Sequence, residues 1–109
     1  MPAARTVDNI KLDVTGNTAG SAMRDRQGNR NYGGTGIDAG GRIALGTATT
    51  AKVAVTDATG RVLHSPTNAV TASVDIPPTA AGLVAPLTVV VTEISNAAHT
   101  LTVYWSVKK

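Results

Sequence analysis

Apolar residues in this chain recur at every second position, and that period confines it to strands. Ile10, Leu12 and Val14 alternate with Lys11 and Asp13. Val70, Ala72, Val74 and Ile76 alternate with Thr71, Ser73 and Asp75, and Leu101, Val103, Trp105 and Val107 with Thr102, Tyr104, Ser106 and Lys108. A two-residue period sends successive side chains to opposite faces of an extended backbone, the pattern of a half-buried strand. The spacing i, i+3, i+4, i+7 that a helix needs occurs nowhere with a cap and a suitable length, and the stretch 79–85 is broken by Gly82.

The pattern predicts a first strand over 6–15, short strands at Ile43–Leu45 and Val53–Val55, and further strands over 61–64, 70–76, 87–94 and 100–108. Asp57-Ala-Thr-Gly60 reads as a hairpin turn, Ser65-Pro-Thr-Asn68 as a second turn, and Pro77-Pro78 as the stop before a connection over 77–86. Ser95 to His99 is expected to join the last two strands as an antiparallel hairpin. About seven or eight short strands with Gly, Pro and Asn turns imply an all-β fold: an antiparallel β-sandwich, a jelly roll or a small barrel.

One stretch breaks the alternation. Residues 16 to 46 hold nine of the eleven glycines together with Arg24, Arg26, Arg30 and Arg42. Ordering such a stretch costs conformational entropy and returns few apolar contacts, and 16–41 exceeds the roughly 12–15 residues usual for a structureless loop. It is expected to be a long glycine-rich loop, mobile in the free protein and ordered against a partner, with at most a short strand or turn at 21–27. The single domain, 1–109, then divides into an amino-terminal arm (1–9), this loop (16–41) and a strand-rich body (42–109).

Thirteen Val, six Leu and five Ile must supply the core, because there is no Phe and Tyr32, Tyr104 and Trp105 are the only aromatics. A core this thin points to a homo-oligomer. The absence of cysteine excludes a disulfide framework and a thiolate metal site. No run approaches the roughly 20 apolar residues of a membrane-spanning helix, and the amino terminus has no stretch of signal-peptide length, so a soluble chain made in the cytoplasm is expected. Ten basic against seven acidic residues is too small a surplus to name a polyanionic partner.

Chemical signatures are sparse. Gly34-Thr-Gly36-Ile-Asp-Ala39 fits the loose dinucleotide fingerprint G-x-G-x-x-A, but Asn31-Tyr32-Gly33 supplies no preceding strand and Gly40-Gly41 stands where the helix would begin. His64 and His99, with Asp57, Asp75 and Glu93, lack the spacing of a metal site, and Asp13, Asp57, Asp75 and Glu93 show no pairing for acid–base work. No catalytic, cofactor-binding or metal-binding residue is assigned, and an enzyme is not expected. Arg24, Arg26, Arg30, Tyr32 and Arg42 are the candidate partner-binding residues. Arginines among Gly and one Tyr look like segments that track nucleic-acid backbones, but Asp25 and Asp38 dilute the charge and one aromatic makes a poor stacking platform. The reading favours a protein partner over nucleic acid. Trp105, on the inward face of its strand, is read as core; exposed beside Tyr104 it would instead be an interface anchor.

A chain without cysteine, poor in aromatics, rich in Ala, Thr, Val and Gly, all-β and bearing an arm resembles the capsid decoration, or cement, proteins of tailed bacteriophages and other small virion proteins. The resemblance is one of overall character, so no residue is carried over from it. It implies a β-sandwich or barrel, commonly trimeric, that binds the major capsid protein or another virion protein at subunit junctions and stabilises the shell. The expected location is the virion. A tail, fibre or connector subunit, and a small nucleic-acid-binding β-barrel using the Arg/Gly segment, are the alternatives; a third, an enzyme accessory or carbohydrate-binding β-module, normally needs several exposed aromatics, which this chain lacks.

Overall fold

The structure, a computed structural model, describes residues 7–25, 27–29 and 35–108. All regular structure among them is β: β1 (Val7–Thr15), β2 (Thr18–Ala22), β3 (Thr35–Ala44), β4 (Ala51–Thr56), β5 (Val62–His64), β6 (Val74–Ile76), β7 (Gly82–Val84), β8 (Thr88–Ile94) and β9 (Thr100–Lys108). They form two antiparallel sheets, one ordered β1-β9-β3-β6 with β7 also on β3, the other β2-β8-β4-β5. The pairing is nested: β1 lies with β9, β2 with β8, β3 with β6 and β4 with β5. Consecutive strands β1/β2, β3/β4, β5/β6 and β8/β9 therefore hold matching positions in the two orders.

The alternation decides what faces the core. Ile10 and Val14 from β1, Ile43 from β3, Val53 and Val55 from β4, Val89 and Val91 from β8 and all four inward residues of β9 meet in a single buried cluster, closed by Met23, Leu83 and Leu87. One chain encloses this cluster. The hairpin expected around 57–60 is present between β4 and β5.

Several expectations need correction. The presumed loop 16–41 contains β2 and most of β3; Ile43 belongs to a ten-residue strand that begins at Thr35 and ends at Ala44, so Leu45 of the expected short strand lies beyond it. Within the presumed arm, Val7–Asn9 already pair with Ser106–Lys108 of β9. Residues 1–6 lie outside the described residues, and so does Thr6 of the expected first strand. Ser95–His99 does not close a hairpin, because nested pairing sends β8 to the four-stranded sheet and β9 to the other. Only Val74–Ile76 of the expected strand 70–76 is regular, with Val70 reduced to a single bridge to Ala51. The connection 77–86 holds β7.

Glycine serves close packing here. A Cβ on Gly41 would fall inside the Trp105 indole, and one on Gly36 would collide with Val107. Between them β3 bulges: Asp38 opposes Val107 and Gly41 opposes Trp105, leaving one residue extra on β3, and Gly40 takes a φ of 101°. The bulge sets Asp38 in the interior, where its Oδ1 accepts hydrogen bonds from Trp105 Nε1 (2.8 Å) and the Gly40 N–H (2.9 Å) and its Oδ2 from the Thr79 hydroxyl (2.8 Å).

A second buried carboxylate organises the β4–β5 turn. Asp57 Oδ1 accepts from the Thr59 hydroxyl (2.6 Å) and from the N–H groups of Thr59 and Arg61 (both 2.9 Å), and Oδ2 accepts from the Val84 N–H (3.1 Å), which ties β7 to the opposite sheet. Burial alone pushes its pKa up; these hydrogen bonds outweigh burial and hold it below the usual carboxylate value. Half-buried His64 on β5 behaves oppositely to a paired imidazole: burial lowers its pKa, and its Nε2 is buried without a hydrogen-bond partner. In both cases the unfolded chain takes up a proton at a higher pH than the folded one, so stability falls on acidification. Denaturant unfolding across pH should show a first loss as pH falls through about 6.5 and a second as it falls below about 4. His64→Leu should abolish the first step and leave the second.

Candidate functional site

Outward residues of the two sheets differ in kind. On the five-stranded sheet, Lys11 opposes Tyr104 and Tyr104 opposes Arg42, which opposes Asp75; on the far edge Lys11 is bridged to Arg24. Antiparallel partners share a face, so Arg24, Lys11, Tyr104, Arg42 and Asp75 form one row across the sheet. The equivalent row on the four-stranded sheet is Ala22, Thr88, Thr56 and Val62, followed by Val90 and Ala54. It carries no charge.

Tyr104 is the centre of the charged row. It is 43% exposed while its neighbour Trp105 is 1% exposed, so Trp105 is core and the interface-anchor reading passes to Tyr104. Two hollows flank the phenol ring. One, of about 460 Å³, is lined by Arg42, Asp75, Pro77, Pro78, Tyr104 and Ser106 among others. The other, of about 540 Å³, is lined by Asn9, Ile10, Lys11, Arg24, Asp25 and Tyr104.

The polar side chains of this face are held before any ligand arrives. Arg42 Nη1 lies 2.7 Å from Asp75 Oδ1, Arg24 Nη1 donates to the Gly28 carbonyl (3.0 Å), Ser106 donates to Asn9 Oδ1 (3.0 Å) and Thr102 to Asp13 Oδ1 (2.6 Å). Asp25 Oδ1 caps the N–H groups of Gln27 and Asn29, closing the turn that follows Arg24. The exposed Arg42–Asp75 and Lys11–Asp13 pairs contribute at most about 1 kcal/mol each to stability. Their value lies in orienting the groups.

Of the candidate partner-binding residues, the fold brings Arg24 and Arg42 to the same face; Arg26, Arg30 and Tyr32 lie outside the described residues. Sequence reasoning placed Lys11 and Tyr104 on outward strand faces without assigning them a role, because only the register shows that they complete the row. The scattered acids and histidines remain apart in role: Asp57 caps a turn, Asp75 pairs with Arg42, and His99 Nδ1 lies 2.7 Å from the Ser95 hydroxyl between β8 and β9. Among the described residues no group of three His, Asp or Glu could hold a metal ion. Gly36–Ala39 lies inside β3, a setting that offers no helix terminus to a pyrophosphate. No family model matches this chain, and no curated protein or solved structure is significantly similar to it.

Proposed function

We propose that this protein is a structural subunit of a virion, a decoration protein that docks as a trimer on the outer capsid and stabilises the shell. The observation that carries the reading is the outer face of the four-stranded sheet, whose row Ala22, Thr88, Thr56 and Val62 bears no charge and whose charges are confined to Lys52 and Glu93, opposite each other at one end of β4 and β8. A sheet solvated on one side normally alternates apolar and polar residues, whereas strands apolar on both sides belong to sheets covered on both sides. β8 reads Thr-Val-Val-Val-Thr-Glu-Ile and β4 reads Ala-Lys-Val-Ala-Val-Thr, so beyond the Lys52–Glu93 pair small apolar and hydroxyl side chains stand on the outer face as well. Val62, 57% exposed, extends it to β5. Such a face is suited to flat, close contact with another protein. The nested strand order supports the same reading as a fold-level analogy, since it resembles that of a jelly roll, an architecture recurrent in capsid proteins.

The test is whether the protein co-purifies in fixed stoichiometry with large particles, and whether Val62→Glu prevents it. Glu at this outward position leaves the core intact but would bury an unpaired carboxylate in the contact, at a cost of several kcal/mol. Particle occupancy is expected to drop by at least about tenfold with the denaturation midpoint unchanged. Unaltered occupancy would remove this face from the assembly.

A further inference from the structure

We propose that the opposite face, centred on Tyr104, is a binding site for a neutral carbohydrate chain. This goes beyond the assembly role and does not depend on it, because the two faces are on different sheets. Tyr104 lines both hollows, so a ligand lying across it meets an aromatic surface with a cavity on each side. Sugars present apolar C–H patches that pack on aromatic rings, and hydroxyls that each donate and accept hydrogen bonds. Recognition therefore calls for a ring beside side chains of both kinds. Here Arg42 supplies donors and Asp75 acceptors in one hollow; Lys11 and Arg24 supply donors and Asp25 and Asn9 acceptors in the other.

Charge favours a neutral ligand. Around Tyr104, Lys11, Arg24 and Arg42 are matched by Asp13, Asp25 and Asp75, with Arg42 and Lys11 already paired to carboxylates. A nucleic acid or acidic polysaccharide would meet Asp25 and Asp75 within the same hollows. A purely apolar ligand would leave the fixed Arg42–Asp75 and Asn9–Ser106 groups desolvated.

The experiment is titration of the ¹⁵N-labelled protein with maltotriose, cellotriose, chitotriose and mannotriose, followed by NMR, with an oligothymidylate as the anionic control. At least one of the neutral sugars should shift resonances of residues 9–11, 42, 75 and 104–106 saturably, with affinity insensitive to salt. Tyr104→Ala, an outward substitution, should weaken binding by about tenfold or more without moving the core resonances, while Tyr104→Phe should keep most of it. The proposal is overturned if none of the four sugars binds, if binding survives in Tyr104→Ala, or if the oligothymidylate alone binds with a steep salt dependence.

Discussion

An Asp38→Ala variant is expected to lose about 3–4 kcal/mol of unfolding free energy, a large share of the roughly 5–15 kcal/mol typical of a domain. Asp38 is 1% exposed, and its Oδ1 is the acceptor for both the Trp105 indole N–H and the Gly40 N–H. Truncation leaves both donors in the interior with no acceptor, at about 1–3 kcal/mol each. The exposed Thr79 hydroxyl can turn to water. Asp38→Asn should be far milder, because the amide oxygen still serves both donors and the amide nitrogen can donate to Thr79 Oγ1. Guanidinium unfolding followed by Trp105 fluorescence separates the two variants; equal losses would mean that the carboxylate charge, and not its hydrogen bonds, stabilises the bulge.

Gly41→Ala is expected to cost about 3 kcal/mol or more. The sign is the informative part. Gly41 does not have a positive φ, so backbone entropy alone predicts that alanine stabilises by about 0.4–1 kcal/mol. Packing predicts the reverse, since the new Cβ would occupy the space of the Trp105 ring. Gly60→Ala provides the contrast: φ is 87° and nothing lies within 4 Å of its Cβ position, so the loss should be confined to left-handed strain, about 1–2 kcal/mol. In a Trp105→Leu background the cost of Gly41→Ala should shrink, and the two substitutions should be strongly non-additive. A Gly41→Ala protein as stable as the parent would show that the indole is free to move aside.

These two residues illustrate what a local pattern conveys and what it omits. The glycines of 16–46 are visible in the sequence, but a missing side chain does not reveal whether its place is empty or taken. At Gly41 and Gly36 it is taken, by residues more than 60 positions away, and the stretch that composition assigns to a loop holds β2 and most of β3. Asp38 likewise looks like a loop acid that dilutes the charge of the arginines. Only the bulge in β3 turns it inward.

By itself the sequence determined the all-β class, most of the strand locations and, for β1, β6 and β9, the side that faces the core. Ile10, Val103 and Trp105 are inside and Lys11, Tyr104 and Ser106 outside, as the two-residue period requires, because that period is a property of neighbouring peptide units. Of the candidate site, Arg24 and Arg42 were singled out from the sequence and Tyr104 was placed on an outward face. The tertiary structure decided the rest: that β1 pairs with β9 and β8 with β4, that β8 and β9 part at Ser95–His99 into different sheets, and that Arg24, Lys11, Tyr104 and Arg42 fall into one row. Register and sheet membership depend on contacts between segments distant in the chain, and alternation within any one strand is compatible with many such pairings.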